Sequence, residues 1–194
     1  VGLGIVSPAS DMNPGESRLQ TRPLSAEHRN LTRCHPLADN LANDLLLNLD
    51  RSGANRMKKA TLIFNPRAGQ LNMGAKVMPV IEFWRRRGWS VKLAPSEAPG
   101  HATELARQAA ESGEQLVLAA GGDGTMSQVA TGLAGTETIM APLPVGTANA
   151  LARELNLPRP QLLDANATLG ASEALLNGRV QEIDLTYVQN KTTS

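Results

Sequence analysis

The chain has 194 residues, of which 41% are hydrophobic and 19% are charged, and its formal net charge is +1. This length suits one ordinary domain, and the near balance of charges argues against a protein that coats DNA or RNA, because phosphates require a basic excess. The single cysteine, Cys34, excludes an internal disulfide framework and a cysteine-rich structural zinc site. No apolar run approaches the ~20 residues that span a bilayer, and no secretory signal opens the chain, so we expect a cytoplasmic protein.

The first part of the chain differs in composition from the rest. Residues 1–56 contain no Phe, Trp or Tyr and scatter prolines among polar residues. Such a stretch buries too little apolar surface to offset its backbone entropy, so we expect a disordered extension. Met57, followed by Lys58 and Lys59, stands just before the first predicted apolar strand, and a translation start assigned too far upstream would account for the extension. The alternative is a genuine N-terminal tail.

From residue 60 onward, the hydrophobic pattern alternates between strands and helices. The predicted order is strand 60–64, helix 73–87, strand 90–94, helix 101–111, strand 115–120, helix 125–133, strand 138–143, helix 147–155, helix 161–177 and strand 180–188. This alternation predicts an α/β fold with a parallel sheet covered by helices on both faces. Ligands of such sheets bind at the carboxyl ends of the strands, where this sequence places its glycines.

Residues 121–125, Gly-Gly-Asp-Gly-Thr, directly follow the third predicted strand and open a helix. Glycines permit positive φ and close approach of the backbone to a ligand, and a helix N-terminus offers free N–H groups to an anion. The Asp123 carboxylate would repel phosphates unless Mg²⁺ or a hydroxyl lies between them. The pattern favours a nucleotide site. The alternative is a strand–turn–helix junction in which Asp123 only caps the helix.

Two other loops lie at predicted strand ends. In residues 144–149, Gly146 permits close approach, while Thr147 and Asn149 supply hydrogen-bonding groups; a simple N-cap by Thr147 is the alternative. Residues 65–69 form a tight turn with a polar side chain at a strand end, which alone is weak evidence for a site. Two glycine-containing loops at neighbouring strand ends favour one shared site.

These loops, in this order and spacing, resemble the nucleotide-binding half of the diacylglycerol and sphingosine kinase-type lipid kinases over residues 58–188. Ser96 opens a loop that resembles the second-strand loop of that family, where Thr is usual. The Gly-Gly-Asp-Gly-Thr element is shared with NAD kinases and loosely with phosphofructokinases, whereas the Pro-x-Gly-Thr-x-Asn element favours lipid kinases. The resemblance implies a Rossmann-like catalytic domain over residues 57–188, with residues 189–194 beginning a second, mostly β domain.

The resemblance also implies an activity. ATP with Mg²⁺ would bind across the loops, and its γ-phosphate would pass to a lipid hydroxyl, with Asp123 as a catalytic residue beside the transferred group. The protein would meet its lipid peripherally at a membrane surface. The charge balance predicts that it binds no nucleic acid, no metal ligand is assigned within the chain, and the oligomeric state is left open, with a homodimer as one option. The residues implied in nucleotide binding are Asn65, Ser96, Gly121, Gly122, Asp123, Gly124, Thr125, Met126, Ser127, Gly146, Thr147 and Asn149.

Two departures from the family pattern limit these expectations. Ser127 and Gln128 stand where the family often has Asn and Glu, which puts any role of that carboxylate in doubt. Family members carry a further acidic catalytic residue in the second domain, which we expect beyond residue 194, so the chain alone is expected to bind nucleotide without completing transfer. A non-catalytic nucleotide-binding module and an NAD kinase-like enzyme remain alternatives.

Overall fold

The structure is a computed structural model, and it describes residues 1–8, 58–67, 73–145, 149–157 and 167–186. Within these ranges strands and helices alternate from β2 to β5, and two helices then precede the last strand. In chain order they are β1 (Gly2–Ser7), β2 (Lys58–Phe64), α1 (Met73–Arg85), β3 (Trp89–Pro95), α2 (His101–Glu111), β4 (Leu116–Gly121), α3 (Asp123–Leu133), β5 (Ile139–Pro144), α4 (Ala150–Glu154), α5 (Ala167–Leu176) and β6 (Arg179–Asp184).

The described strands form one sheet in the order β3-β2-β4-β5-β1-β6. All neighbouring pairs from β3 to β1 are parallel, so the predicted α/β fold is confirmed. Strand β6 is the exception among the described strands, because it runs antiparallel to β1. Here β6 lies at the sheet edge and is largely exposed, and an edge strand on a parallel sheet can run antiparallel because no crossover has to cover it.

Strand β1 was not predicted. It pairs with β6 along its whole length and with β5 beside Ile5, and Leu3, Ile5 and Val6 are at most 1% exposed. This finding corrects the expectation that residues 1–56 as a whole form a disordered extension. A short apolar run can form a buried strand when other strands pair with it on both sides. Residues 9–57 lie outside the described residues, so the rest of that expectation stays a prediction.

Helices cover both faces of the sheet. On one face α1 and α5 pack against β2, β4 and β5, and on the other face α2 and α3 pack against the same strands. The chain therefore leaves β2 toward one face and leaves the adjacent β4 toward the opposite face. Helices α1 and α3, which follow these two strands, thus lie on opposite faces, which is the arrangement that opens a ligand crevice at the carboxyl edge of a sheet.

The predicted helix 147–155 begins later than expected. Asn149 has a left-handed backbone, with φ 48° and ψ 55°, and serves as the N-cap of α4, which starts at Ala150. A residue in this conformation cannot belong to a right-handed helix. Parts of two other predicted elements, residues 161–166 and 187–188, lie outside the described residues.

None of the helices in the described part of the chain is both long enough and apolar enough to cross a membrane.

Candidate functional site

Four loops meet at the carboxyl edge of the parallel sheet. The register pairs Phe64 of β2 with Pro95 of β3 and with Ala120 of β4, and it pairs Gly121 with Pro144 of β5. The residues that follow these strand ends therefore lie side by side along one edge. They include the predicted site residues Asn65, Ser96 and Gly122, and also Val145.

The end of β4 has no room for any side chain, so residue 121 must be glycine. Gly121 is buried, and a Cβ there would overlap the side chain of Thr125, which itself is only 8% exposed. The glycines of this turn do not use the positive φ that glycine permits, and Gly122 has φ −91°. Among the described residues, left-handed backbone occurs instead at Gly88, Gly100, Gly113, Gly135, Asn149 and Asn156.

The first turn of α3 presents N–H groups at this edge. The carbonyl of Gly122 accepts hydrogen bonds from the N–H groups of Thr125 at 3.0 Å and Met126 at 3.1 Å. The N–H groups of residues 122–124 therefore precede the first helical hydrogen bond, as expected for the start of a helix. A Cβ at Gly124 would meet nothing within 4 Å. The turn thus offers N–H donors, the positive end of a helix dipole and open space, which together suit a phosphate.

Asp123 joins this turn to the loop that follows β5. Its side chain is exposed, and its Oδ1 accepts a hydrogen bond from the N–H of Ala150 at 2.6 Å. The junction alternative expected Asp123 to cap its own helix, α3. The N-cap of α3 is Gly122, and the Asp123 side chain instead caps the next helix, α4. A second link runs from the N–H of Val145 to the carbonyl of Gly121 at 3.2 Å. The two motif loops therefore form one connected edge.

Asn149 completes the described part of the β5 loop. It is 3% exposed, and its carbonyl accepts the first hydrogen bond of α4, from the N–H of Arg153 at 3.0 Å. Asn is one of the few residues that adopt left-handed backbone readily. The other predicted site residues of this loop, Gly146 and Thr147, lie outside the described residues, so their roles stay predictions.

The loops after β2 and β3 are also tied together. Ser96 donates from its N–H and from its Oγ to the carbonyl of Phe64, at 2.8 and 3.3 Å. Asn65 accepts the N–H of Arg67 on its Oδ1 at 2.9 Å, which is an Asx turn that stabilises the chain reversal. Both predicted site residues thus lie at the carboxyl edge, and both side chains shape the local turn.

Two predicted site residues on α3 differ in where their side chains lie. The side chain of Met126 is 4% exposed and packs in the core with Val129 and Leu133, so only its backbone is near the edge. Ser127 is exposed. Gln128 was not among the predicted site residues, and its Oε1 accepts the N–H of Gly100 at the start of α2.

The described residues contain no cluster of three or more His, Cys, Asp or Glu side chains that could hold a metal ion. Asp123 is a single exposed carboxylate at the turn. Mg²⁺ in phosphate-handling sites is commonly held by one or two carboxylates together with the phosphates of the substrate. The described residues at this turn therefore suit a magnesium ion that is held mainly by the phosphates of a nucleotide.

Comparison with known proteins identifies relatives for most of the described sheet. The family model for the diacylglycerol kinase catalytic domain matches residues 59–188. A diacylglycerol kinase of Bacillus subtilis (strain 168) is 32% identical over 137 residues, which cover 70% of this chain and 43% of the relative. One of Staphylococcus epidermidis (strain ATCC 12228 / FDA PCI 1200) is 30% identical, with 69% and 41% covered.

A solved structure is similar as well. The crystal structure of a diacylglycerol kinase from Bacillus anthracis str. Sterne has a TM-score of 0.49 and 28% identity, and the similarity covers 62% of this chain and 44% of that chain.

Proposed function

Because the chain belongs to the diacylglycerol kinase catalytic domain family, we propose that it forms the ATP-binding part of a lipid kinase. The reaction is transfer of the γ-phosphate of ATP to the hydroxyl of a lipid of the diacylglycerol class. The chain spans 43% of the length of the Bacillus subtilis relative. The transfer is therefore proposed for the whole gene product that contains these residues, and nucleotide binding is proposed for the chain itself.

The observation that carries the proposal is the hydrogen bond between Asp123 and the N–H of Ala150. It joins the start of α3, where N–H groups suit phosphate, to the start of α4, where the second motif loop ends. Sites for dinucleotides and nucleotides in open α/β folds lie where such loops meet. The glycine-rich turn and the second loop therefore support one nucleotide site between them.

The residues of the turn have separate tasks in this proposal. The N–H groups of residues 122–124 bind phosphate oxygens, and Gly124 leaves room for them. The Ala150 N–H holds one oxygen of the Asp123 carboxylate, which directs the carboxylate toward the transferred group. Asp123 accepts the proton of the lipid hydroxyl as that oxygen bonds to the γ-phosphorus and ADP leaves. Mg²⁺ that binds with the nucleotide would neutralise part of the phosphate charge.

The lipid that accepts the phosphoryl group determines where the proposed reaction takes place. A diacylglycerol molecule resides in a bilayer, so the proposed kinase meets its substrate peripherally at a membrane surface. In phosphoryl transfer the protein acts mainly by positioning the two substrates and by stabilising charge. The carboxyl edge of the sheet is accordingly the surface that would face the lipid.

The proposal is tested with the purified gene product that contains this chain. The product is incubated with magnesium and ATP labelled at the γ-phosphate, either with diacylglycerol vesicles or with NAD. Label in the lipid supports the proposal, and label in NAD alone would replace it with the NAD kinase-like alternative. ATP binding without transfer to either acceptor would favour the non-catalytic module.

A matched pair of variants links the activity to the turn. Asp123→Asn keeps an oxygen that can accept the Ala150 N–H but removes the charge, so it should fold normally and lose transfer. Asp184→Asn makes the same chemical change on an exposed residue of β6. Asp184 pairs with Gly2, the first residue of β1, and so lies away from the carboxyl ends of the parallel strands. That control should keep the activity of the unaltered protein.

A further inference from the structure

Gln128 in α3 accepts two hydrogen bonds from the start of α2. Its side-chain Oε1 accepts the N–H of Gly100 at 3.1 Å, and its backbone carbonyl accepts the Oγ1 hydroxyl of Thr103 at 2.9 Å. A backbone N–H can only donate, so the amide of Gln128 must present its oxygen to Gly100. Residue 128 therefore ties α3 to the loop that leads into α2.

Helices α2 and α3, which these hydrogen bonds connect, are in close contact. One turn after Gln128, a Cβ at Gly132 would overlap the carbonyl oxygen of Thr103 and the Cβ of Ala106. Such close backbone contact leaves little freedom for one helix to move relative to the other. The hydrogen bond from Gly100 to Gln128 lies at the end of this helix pair that faces the carboxyl edge.

The loop that Gln128 holds is one of the four loops at the edge. Its first residue, Ser96, is bonded to the carbonyl of Phe64 at the end of β2. Its last residue, Gly100, is exposed and has left-handed backbone, with φ 82°. Within the loop, the N–H of Glu97 donates to Nδ1 of His101 at 3.1 Å. The loop is thus anchored on β2 at one end and on Gln128 at the other.

We propose that Gln128 is a positioning residue for the nucleotide. It holds the loop of residues 96–100 against α3, whose first turn carries the phosphate-binding N–H groups of residues 122–124. The inference rests on the proposed nucleotide site. Gln128 itself touches no reacting atom in this account and acts through the position of Gly100.

The chemistry of the tie specifies which substitutions keep it. Only an acceptor oxygen at the end of the side chain can bond the Gly100 N–H, so Glu can replace Gln and Leu cannot. Gln108 is a matched control, because it is exposed on α2 and its Nε2 donates to Glu104 at 3.1 Å.

The test compares Gln128→Leu, Gln128→Glu and Gln108→Leu with the unaltered chain. Two quantities are measured: the hydrogen-exchange rate of the Gly100 amide and the dissociation constant of magnesium–ATP. A net hydrogen bond is worth enough to change an equilibrium by about two- to tenfold. Gln128→Leu should accelerate exchange at Gly100 and weaken ATP binding by about that factor. The other two variants should bind ATP as the unaltered chain does.

Kinetics in the gene product give a second readout. Gln128→Leu should raise KM for ATP and leave kcat little changed, since the substitution alters nucleotide positioning and not the reacting groups. Gln128→Ala gives the same comparison without adding an apolar side chain, in case the leucine variant folds poorly. Recovery by Gln128→Glu separates loss of the acceptor from general destabilisation.

The outcomes distinguish this inference from the function on which it rests. If Gln128→Leu accelerates exchange at Gly100 but leaves the ATP dissociation constant unchanged, the positioning role is overturned and the nucleotide site stands. If the unaltered chain binds no ATP, the proposed function and this inference both fail. Equal weakening by Gln128→Glu and Gln128→Leu would also overturn the acceptor role.

Discussion

Ile5 tests whether the first strand is an integral part of the sheet. Its side chain is fully buried, and its backbone pairs with Met140 of β5 on one side and with Gln181 of β6 on the other. The side chain belongs to the core on the face covered by α2 and α3. Replacing Ile5 with Ala removes three carbon atoms from a site enclosed by two strands and those helices.

The expected loss of stability follows from this burial. Ile→Ala substitutions in protein cores cost about 2–5 kcal/mol, because the apolar transfer energy is lost and a cavity remains. For a domain of this size, each kcal/mol lowers the melting temperature by about 2–4 °C. A loss of about 3 kcal/mol would therefore lower the melting temperature by about 6–12 °C. A substitution in an unattached tail would shift stability by less than about 0.5 kcal/mol.

Thermal and urea unfolding of the chain measure this difference. Val1→Ala is the control, since Val1 is 72% exposed and its carbonyl still accepts the N–H of Leu185 in the variant. Ile5→Ala should have a melting temperature well below that of the unaltered chain, and Val1→Ala should have the same melting temperature as the unaltered chain. If Ile5→Ala leaves the melting temperature unchanged, β1 is not packed in the sheet in solution and the described topology is wrong at this strand.

Three further predictions concern the site and its supporting helices. Gly100→Ala and Gly88→Ala place the same side chain on left-handed backbone with open space around it, so each should lower the free energy of unfolding by about 1–2 kcal/mol. Only Gly100→Ala should weaken ATP binding. Equal ATP affinity of the two variants would contradict a role of the loop of residues 96–100 in nucleotide binding. Asp123→Asn should melt like the unaltered protein and slow lipid phosphorylation by about a hundredfold or more, and a residual rate near that of the unaltered protein would remove Asp123 from catalysis. Gly132→Ala should destabilise the chain by about 1–3 kcal/mol through overpacking, whereas Gly124→Ala, in open space, should not; similar melting of both would contradict the described helix contact.

The turn at the end of β4 shows what local sequence can reveal. An apolar strand followed by glycines and a helix predicts a turn at the carboxyl edge of the sheet, and the structure places residues 121–125 at that edge. The reason for Gly121 was not accessible, because it depends on how Thr125 folds back over the turn. Sequence pattern locates such a turn, but steric contacts across it require coordinates.

Strand β1 and Asp123 show where local reasoning fails. The six residues of β1 contain two glycines and stand far from β2 in sequence, so only their partners on both sides define them as a strand. The Asp123 carboxylate at a helix start suggests a cap of that helix. Its bond to Ala150, 27 residues later, arises from the pairing of β4 with β5, which the local pattern does not encode.

Binding of magnesium–ATP to this chain, compared with its binding to the Gly124→Val variant, tests whether the turn at the start of α3 binds a nucleotide. Gly124 lies in the first turn of α3 with nothing within 4 Å of its Cβ position, so a valine fits the fold but occupies the space proposed for phosphate. Calorimetric titration should show binding by the unaltered chain and at least about tenfold weaker binding by the variant, which corresponds to 1.4 kcal/mol or more, with similar melting temperatures. Equal affinity in both proteins, or no binding by the unaltered chain at millimolar ATP, would contradict a nucleotide site at this turn.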